Sequence, residues 1–397
     1  MASPRRSWSL SLMPPEIIQE IFYKTPADAL VRAKPTCKRW YALITDKSFI
    51  KEHFQRSQER FIRIFDKVQI MDPVTSRTSS VSPIPNGLHQ HPYNINTLVH
   101  TLMVHCDGLM LVAYQCGWKY RSDESIFPNI AVWNPATRKI RWVEQAAGCI
   151  TSTDYYGIGY NSDGDYKLVR FTCRPLVIEG FEDVPEVEIY EFKTSSWRTV
   201  GGKVDIDVEI ERRCVSVMGN MYWVAYRWWN EGEKFIRVFD FSDETFKDIC
   251  FCPPSYGDNS HLSCFNGDSL SLLQQDEVSK QIEVWVSSKL GDGDVSFSKY
   301  FSLSGPDLPA LRVRDDKYYK TNPVYCFVKP KSVIVWCVGV EGEGDKVCSC
   351  CTLYEIDEDG VKSKRETERS YVRDYSHAFV CGYVYVPSMI PLPWARD

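Results

Sequence analysis

Glu188-Ile-Tyr-Glu-Phe-Lys-Thr-Ser-Ser-Trp197 is the stretch whose reading decides the fold. Apolar residues alternate with glutamates, a polar Lys-Thr-Ser-Ser run interrupts the alternation, and an aromatic resumes it. That is a strand, a turn and a second strand. Tyr190 and Trp197 straddle the turn, so their rings can pack on one face. The pattern recurs in Ala131-Val-Trp-Asn-Pro-Ala-Thr-Arg-Lys-Ile-Arg-Trp142 and Arg237-Val-Phe-Asp-Phe-Ser-Asp-Glu-Thr-Phe246. Weaker copies begin at Ile282-Glu-Val-Trp285 and Thr352-Leu-Tyr-Glu-Ile-Asp357. The lead aromatics Trp133, Tyr190, Phe239, Trp285 and Tyr354 are separated by 57, 49, 46 and 69 residues. Propeller blades repeat at about 40–50 residues, and uneven loops stretch that spacing.

A second half-repeat, a small-residue turn leading into apolar alternation, occurs at Cys106-Asp-Gly-Leu-Met-Leu111, Met218-Gly-Asn-Met-Tyr-Trp223 and Phe265-Asn-Gly-Asp-Ser-Leu270. A lone four-stranded sheet has two apolar faces and cannot bury both; radial stacking of blades covers them and leaves only short edges. The chain is therefore expected to be mainly β, with a propeller of about six blades over residues 56–397. Five or seven blades are the alternatives. A ring also needs both chain ends in one sheet. The strand-like Phe61–Phe65 and Ala378–Val386 are expected to share that closing blade, with Pro387, Pro391 and Pro393 ending the last strand. Asp72 to Gly87, rich in turn formers, reads as a loop.

Ahead of the strands the periodicity is helical. Ile17, Ile18, Ile21 and Phe22 form one stripe, with Pro14 and Pro15 suited to the helix start. Ala29-Leu-Val-Arg32 and Thr36-Cys-Lys-Arg-Trp40 supply two further pieces, and Phe49, Ile50, His53 and Phe54 a fourth. Thr36 is expected to cap the third helix, with Trp40, Leu43 and Ile44 on a shared face. Pro35 biases Lys34 away from the helical region and separates helices two and three. Isolated helices below about 12–15 residues are marginal in water, so this module needs a partner.

Composition bounds the function. The chain has 397 residues, 44% apolar and 25% charged, ordinary for a soluble globular protein. No apolar run reaches the ~18 residues of a membrane helix, and the N-terminus lacks the apolar core of a secretory signal. Residues 1–60 hold eleven Lys/Arg and six Asp/Glu, a net of +5 that leaves −10 on the rest. An acidic body argues against nucleic-acid binding. The basic N-terminal region suits steering toward an acidic protein partner. Fifteen dispersed cysteines read as reduced thiols, which points to the cytoplasm, the nucleus or both.

Catalytic signals are scarce. The seven histidines are scattered, and His89 and His91 lack a third ligand nearby. Cys348-Ser-Cys-Cys351 has no second ligand pair and reads as a cysteine-rich hairpin. Asn161-Ser-Asp-Gly-Asp165 has calcium-like composition but is better explained as a tight turn. No cofactor, metal or catalytic residue is expected. The Trp228-Trp229 pair is weighed two ways. Adjacent strand residues point to opposite faces, so one ring would be core and the other exposed as a target contact; packing in the core or between blades is the favoured alternative.

Pro14, Glu16, Ile17, Ile18, Glu20, Ile21, Pro26, Leu30, Arg32, Cys37, Lys38 and Trp40 together resemble an F-box. Met13 replaces the family's usual leucine, and Ala33 is smaller than its usual apolar residue. Trp133-Asn-Pro-Ala-Thr-Arg138, Tyr156-Gly-Ile-Gly-Tyr160, Asp165-Tyr-Lys-Leu-Val169 and Val187-Glu-Ile-Tyr190 with Ser196-Trp-Arg198 resemble the F-box-associated, kelch-like propeller of plant F-box proteins. Residues 1–10, polar and carrying Pro and Arg, read as a mobile arm, and the resemblance makes residues 11–55 an F-box and residues 56–397 the propeller. It implies a substrate-recognition subunit of a Skp-cullin-F-box ubiquitin ligase with no chemistry of its own. Pro14, Pro15, Ile17, Ile18, Ile21, Phe22, Leu30, Val31 and Trp40 would then dock on a Skp-type adaptor, and the propeller would hold a target protein. The alternative is a propeller enzyme or glycan-binding module with an unrelated helical extension.

Overall fold

In the computed structural model the described residues are 13–64, 68–81, 101–114, 130–144, 154–172, 187–201, 205, 207–254, 260–311, 313–315, 318–321, 323–341, 348–371 and 382–393. His89, His91, His100, His377, Phe65 and the arm at 1–10 lie outside them.

Four helices come first: α1 (Pro15–Tyr23), α2 (Ala27–Ala33), α3 (Lys38–Thr45) and α4 (Lys47–Arg56). Pro14 stands at the N-cap of α1 and Pro15 at its first position, where a missing N–H costs nothing. Asp46 caps α4 by accepting from the Phe49 N–H at 2.9 Å. Two local expectations fail. Lys34 is helical (φ −48°, ψ −43°), because α2 runs into a short 3-10 turn, Lys34–Thr36, whose early positions admit Pro35. Thr36 is used up in that turn, so Cys37 becomes the N-cap of α3 and makes no side-chain capping bond.

The rest is strand. The first blade in sequence holds β1 (Arg60–Ile64), β2 (Val68–Met71) and β3 (Thr78–Val81). The next is β4 (Thr101–Cys106), β5 (Leu109–Tyr114), β6 (Ile130–Asn134) and β7 (Lys139–Val143), called blade one here. Blade two is β8 (Asp154–Tyr160), β9 (Tyr166–Thr172), β10 (Val187–Glu191) and β11 (Ser196–Val200). Blade three is β12 (Val208–Val217), β13 (Asn220–Arg227), β14 (Asn230–Asp240) and β15 (Thr245–Phe251). Blade four is β16 (Ser260–Phe265), β17 (Ser269–Gln275), β18 (Ile282–Ser287) and β19 (Phe297–Leu303). A hairpin, β20 (Val313–Asp315) with β21 (Tyr318–Thr321), precedes blade five: β22 (Val324–Lys329), β23 (Ser332–Glu341), β24 (Cys348–Asp357) and β25 (Gly360–Tyr371). The last strand, β26 (Gly382–Tyr385), returns to the first sheet, whose order is β26-β1-β2-β3.

That return makes six antiparallel blades and closes the ring. Phe61 pairs with Val384 and Ile62 with Tyr383. Adjacent strand residues face opposite ways, and here both faces are core. Phe61 stacks on Trp336 of blade five at 5.6 Å, while Ile62 packs with Met110, Val112 and Trp133 of blade one. The five lead aromatics all fall on the third strand of their blades, β6, β10, β14, β18 and β24. The small-residue turns join first to second strands, with Asp107, Gly108, Met218, Gly219, Asn266 and Gly267 all at positive φ. The two-residue turns at 107–108 and 218–219 match the right-handed twist of the strands they join, and the turn at 266–268 is one residue longer.

The segment after Asp72 is a correction. Asp72-Pro-Val-Thr-Ser-Arg77 is a turn whose Asp72 Oδ1 accepts from the Val74 and Thr75 N–H groups, and β3 follows it. It copies Asn134-Pro-Ala-Thr-Arg-Lys139, where Asn134 Oδ1 accepts from Ala136 and Thr137. Asn161-Ser-Asp-Gly-Asp165 is likewise a turn, its Asn161 Oδ1 taken by the N–H groups of Asp163 and Asp165. Cys350 and Cys351 are buried on β24.

Candidate partner-binding surfaces

The helical module is sorted into a buried face and an exposed one. Ile18, Phe22, Tyr23, Ala27, Leu30, Ile44 and Phe49 form a core, with Val31, Trp40 and Leu43 partly buried against it. Phe22 meets Trp40 edge-on at 5.0 Å and Tyr23 stacks on Phe49 at 4.9 Å. The Tyr23 hydroxyl donates to Glu52 Oε2 at 2.6 Å, and that bond holds the Glu52 carboxyl below its usual range. His53 Nε2 bonds the Thr25 carbonyl at 2.8 Å, and burial pushes this imidazole down. These contacts lock α1 against α4.

Two members of this core come from the propeller. Ala136, in the β6–β7 turn, and Met389, after β26, sit among the helix residues. The C-terminal segment therefore does more than stop at its prolines. It runs between helices and propeller: Met389 joins the helix core and Leu392 the core of blades one to three. Asn134 fixes its path, donating from Nδ2 to the Ser388 and Ile390 carbonyls at 3.1 and 2.7 Å. Arg141 Nη1 donates to the Pro393 carbonyl at 2.6 Å.

This packing divides the nine residues expected at an adaptor surface. Ile17 and Ile21 are 50% and 43% exposed, and Pro14 and Pro15 are exposed beside them. Ile18, Phe22 and Leu30 are buried, so they support the exposed stripe and offer no area of their own. Val31 and Trp40 are intermediate. Sequence reasoning missed Tyr41, which is 52% exposed with the Lys34 ammonium 4.9 Å from its ring centroid. Its signal was available: it follows Trp40 on a helix whose inward positions are Trp40, Leu43 and Ile44, and so turns outward.

The tryptophan pair also departs from expectation. Trp228 and Trp229 are not strand residues with one ring inside; they are the two-residue turn between β13 and β14, and both are exposed. Their rings meet edge-on at 5.6 Å. In an antiparallel blade the first–second and third–fourth turns lie at one end and the second–third turn at the other. The helices cover the first kind of end, at Ala136. The tryptophans stand at the opposite end.

Residues 56–392 match the F-box associated beta propeller domain, and residues 10–56 match the F-box-like domain. This chain belongs to the F-box proteins that carry an F-box-associated propeller. F-box only protein 15 of Arabidopsis thaliana is 46% identical over 96% of this chain and 97% of its own length. F-box/WD-40 repeat-containing protein 1 of the same plant is 36% identical over 98% of this chain and 90% of its own. Among solved structures, an oligogalacturonate lyase in complex with manganese aligns at a TM-score of 0.37 and 9% identity, over 79% of this chain and 74% of that one. The F-box with its propeller is the make-up of substrate-recognition subunits of Skp-cullin-F-box ligases, and members of this F-box family serve as adaptors rather than enzymes.

Proposed function

We propose that this F-box protein docks on a Skp-type adaptor through the exposed side of α1 and α3, and presents a target protein on the propeller face opposite. The observation that carries the reading is the division of the apolar helix residues. Ile17, Ile21 and Tyr41 stay exposed although the module already has a complete core. Exposed aliphatic and aromatic side chains grouped on one small module mark a protein interface. Pro14 and Pro15 stiffen the approach to that stripe.

The mechanism is positioning. The helices and propeller share one core through Met389 and Ala136, so the two binding surfaces keep a fixed separation. A rigid link of this kind raises the effective concentration of a bound target near the ubiquitin donor. The described cysteines are free thiols, in keeping with a cytoplasmic or nuclear place of work. Co-expression with a Skp-type adaptor tests the reading: the two chains should co-elute at equal stoichiometry. Separate elution of a folded chain and a folded adaptor would end it.

A further inference from the structure

One end of blade three carries aromatic surface that the helices do not use. Trp228 and Trp229 are 57% and 54% exposed, and Phe251, at the same end of the outer strand, is 66% exposed. Phe251 pairs with Phe235, which pairs with Ala225 just below the tryptophan turn. Among the described residues, these three are the exposed large aromatics of the propeller.

The surroundings are acidic. Trp228 Nε1 donates to Asp207 Oδ1 at 3.2 Å, and its N–H donates to the Asp207 carbonyl at 3.3 Å, so the turn is held in place. Arg227 pairs with Asp205 at 3.5 Å, Lys234 with Glu211 at 2.9 Å, and Arg237 with Asp248 at 2.7 Å. Glu209 accepts from the Tyr226 hydroxyl and Glu233 from Asn230 Nδ2. Nearest the turn, the carboxylates of Asp205, Asp207 and Glu233 outnumber Arg227, the cation beside them, and Arg227 is already paired with Asp205. The rings here already take cations: the Arg227 guanidinium lies 5.5 Å from the Trp229 centroid and 5.8 Å from that of Phe235.

We infer that this blade end binds a lysine- or arginine-bearing segment of the target protein. The inference rests on the receptor reading above and names the chemistry of its target site. The incoming cation lies against Trp228, and Asp205, Asp207 and Glu233 answer its charge. A surplus of carboxylates repels nucleic-acid phosphates. It also repels a second copy of itself, because a two-fold contact would set the same acidic patch against its twin. A turn held by Asp207 loses little freedom on binding.

The test titrates the full chain, with and without bound adaptor, with a short fluorescent peptide of alternating lysine and leucine. Counterparts carry glutamine or glutamate at every lysine. The lysine peptide should bind saturably and the counterparts about tenfold or more weakly. Trp228→Ala/Trp229→Ala should weaken it by about tenfold or more, Trp228→Phe/Trp229→Phe should restore part of the loss, and Glu233→Gln should flatten the salt dependence. Equal binding of the glutamine peptide, unchanged binding by the double alanine variant, or dimerisation through the tryptophans would overturn the inference. A chain that captures adaptor but ignores the lysine peptide overturns it and leaves the receptor reading standing. A chain that binds the lysine peptide but never the adaptor supports it and removes the receptor reading alone.

Discussion

Removing residues 387–397 would leave β26 paired to β1 while stripping out the segment that joins helices to propeller. Met389 and Leu392 are both buried. Burying one such side chain contributes about 1.5–3 kcal/mol, so the pair accounts for about 3–6 kcal/mol of apolar stabilisation. Asn134 and Arg141 lose their carbonyl acceptors as well, though water replaces them once the segment is gone. Net stabilities run at about 5–15 kcal/mol, so the loss is a large fraction of the whole. It falls unevenly, because the ring keeps its closing pair while the helix core loses Met389. Hydrogen exchange read by mass spectrometry should show α1 and α2 losing protection while β5, β13 and β17 keep theirs. Removing residues 382–397 should in addition expose β1, since β26 goes too. If α2 stays protected and the melting temperature holds after removal of 387–397, the joining role of this segment is wrong.

Further expectations concern single residues. Leu30→Ala should cost about 2–5 kcal/mol in chemical unfolding and Ile21→Ala under about 1, because only the first empties a core site. Gly108 holds φ +79° and an added Cβ would lie 2.4 Å from Ser388 Cβ and 2.5 Å from the Val386 carbonyl, so Gly108→Ala should lower stability by about 2 kcal/mol or more. Burial pushes the Glu59 carboxyl up to about 8. The folded state then holds this proton more tightly than the unfolded chain, and the stability it brings is full below about pH 4.3 and lost as pH rises through 8. Glu59→Gln should therefore raise the melting point near pH 8.5 and leave it unchanged near pH 4. His105 acts with the opposite sign: burial pushes it down to about 4, so its contribution is lost as pH falls from about 6.5 toward 4. In Glu59→Gln, without the opposing carboxyl, melting points should fall more steeply over that range than in the parent chain.

Most of the ring was legible because each blade repeats a physical necessity. A third strand must turn back, and a ring on either side of that turn closes the hairpin, so Trp133, Tyr190, Phe239, Trp285 and Tyr354 marked their strands. The closing blade was legible from Phe61 and Tyr385-side β signal, although Phe61 and Ile62 gave no alternation because both faces are buried. Asp72-Pro-Val-Thr-Ser was hidden by the polar run after it, yet its Asp-Pro-x-Thr start matches the Asn-Pro-x-Thr start of Asn134-Pro-Ala-Thr-Arg. The division of the helix stripe was not legible. Ile17 and Ile18 are chemically alike, and what decides which is inside is how the four helices pack on one another and on Ala136 and Met389 of the propeller. The tryptophan turn was misplaced for a related reason: two bulky aromatics look like strand residues until the hairpin register puts them at its tip.

The most direct measurement of the central claim is calorimetric titration of a Skp-type adaptor into the full chain and into Ile17→Asp/Ile21→Asp. Two desolvated apolar anchors at about 2 kcal/mol each would weaken binding by about a thousandfold. Because both side chains are exposed, the variant should melt within a few degrees of the parent. Lost binding with unchanged melting is the predicted result. Undiminished adaptor affinity in the variant would contradict the account.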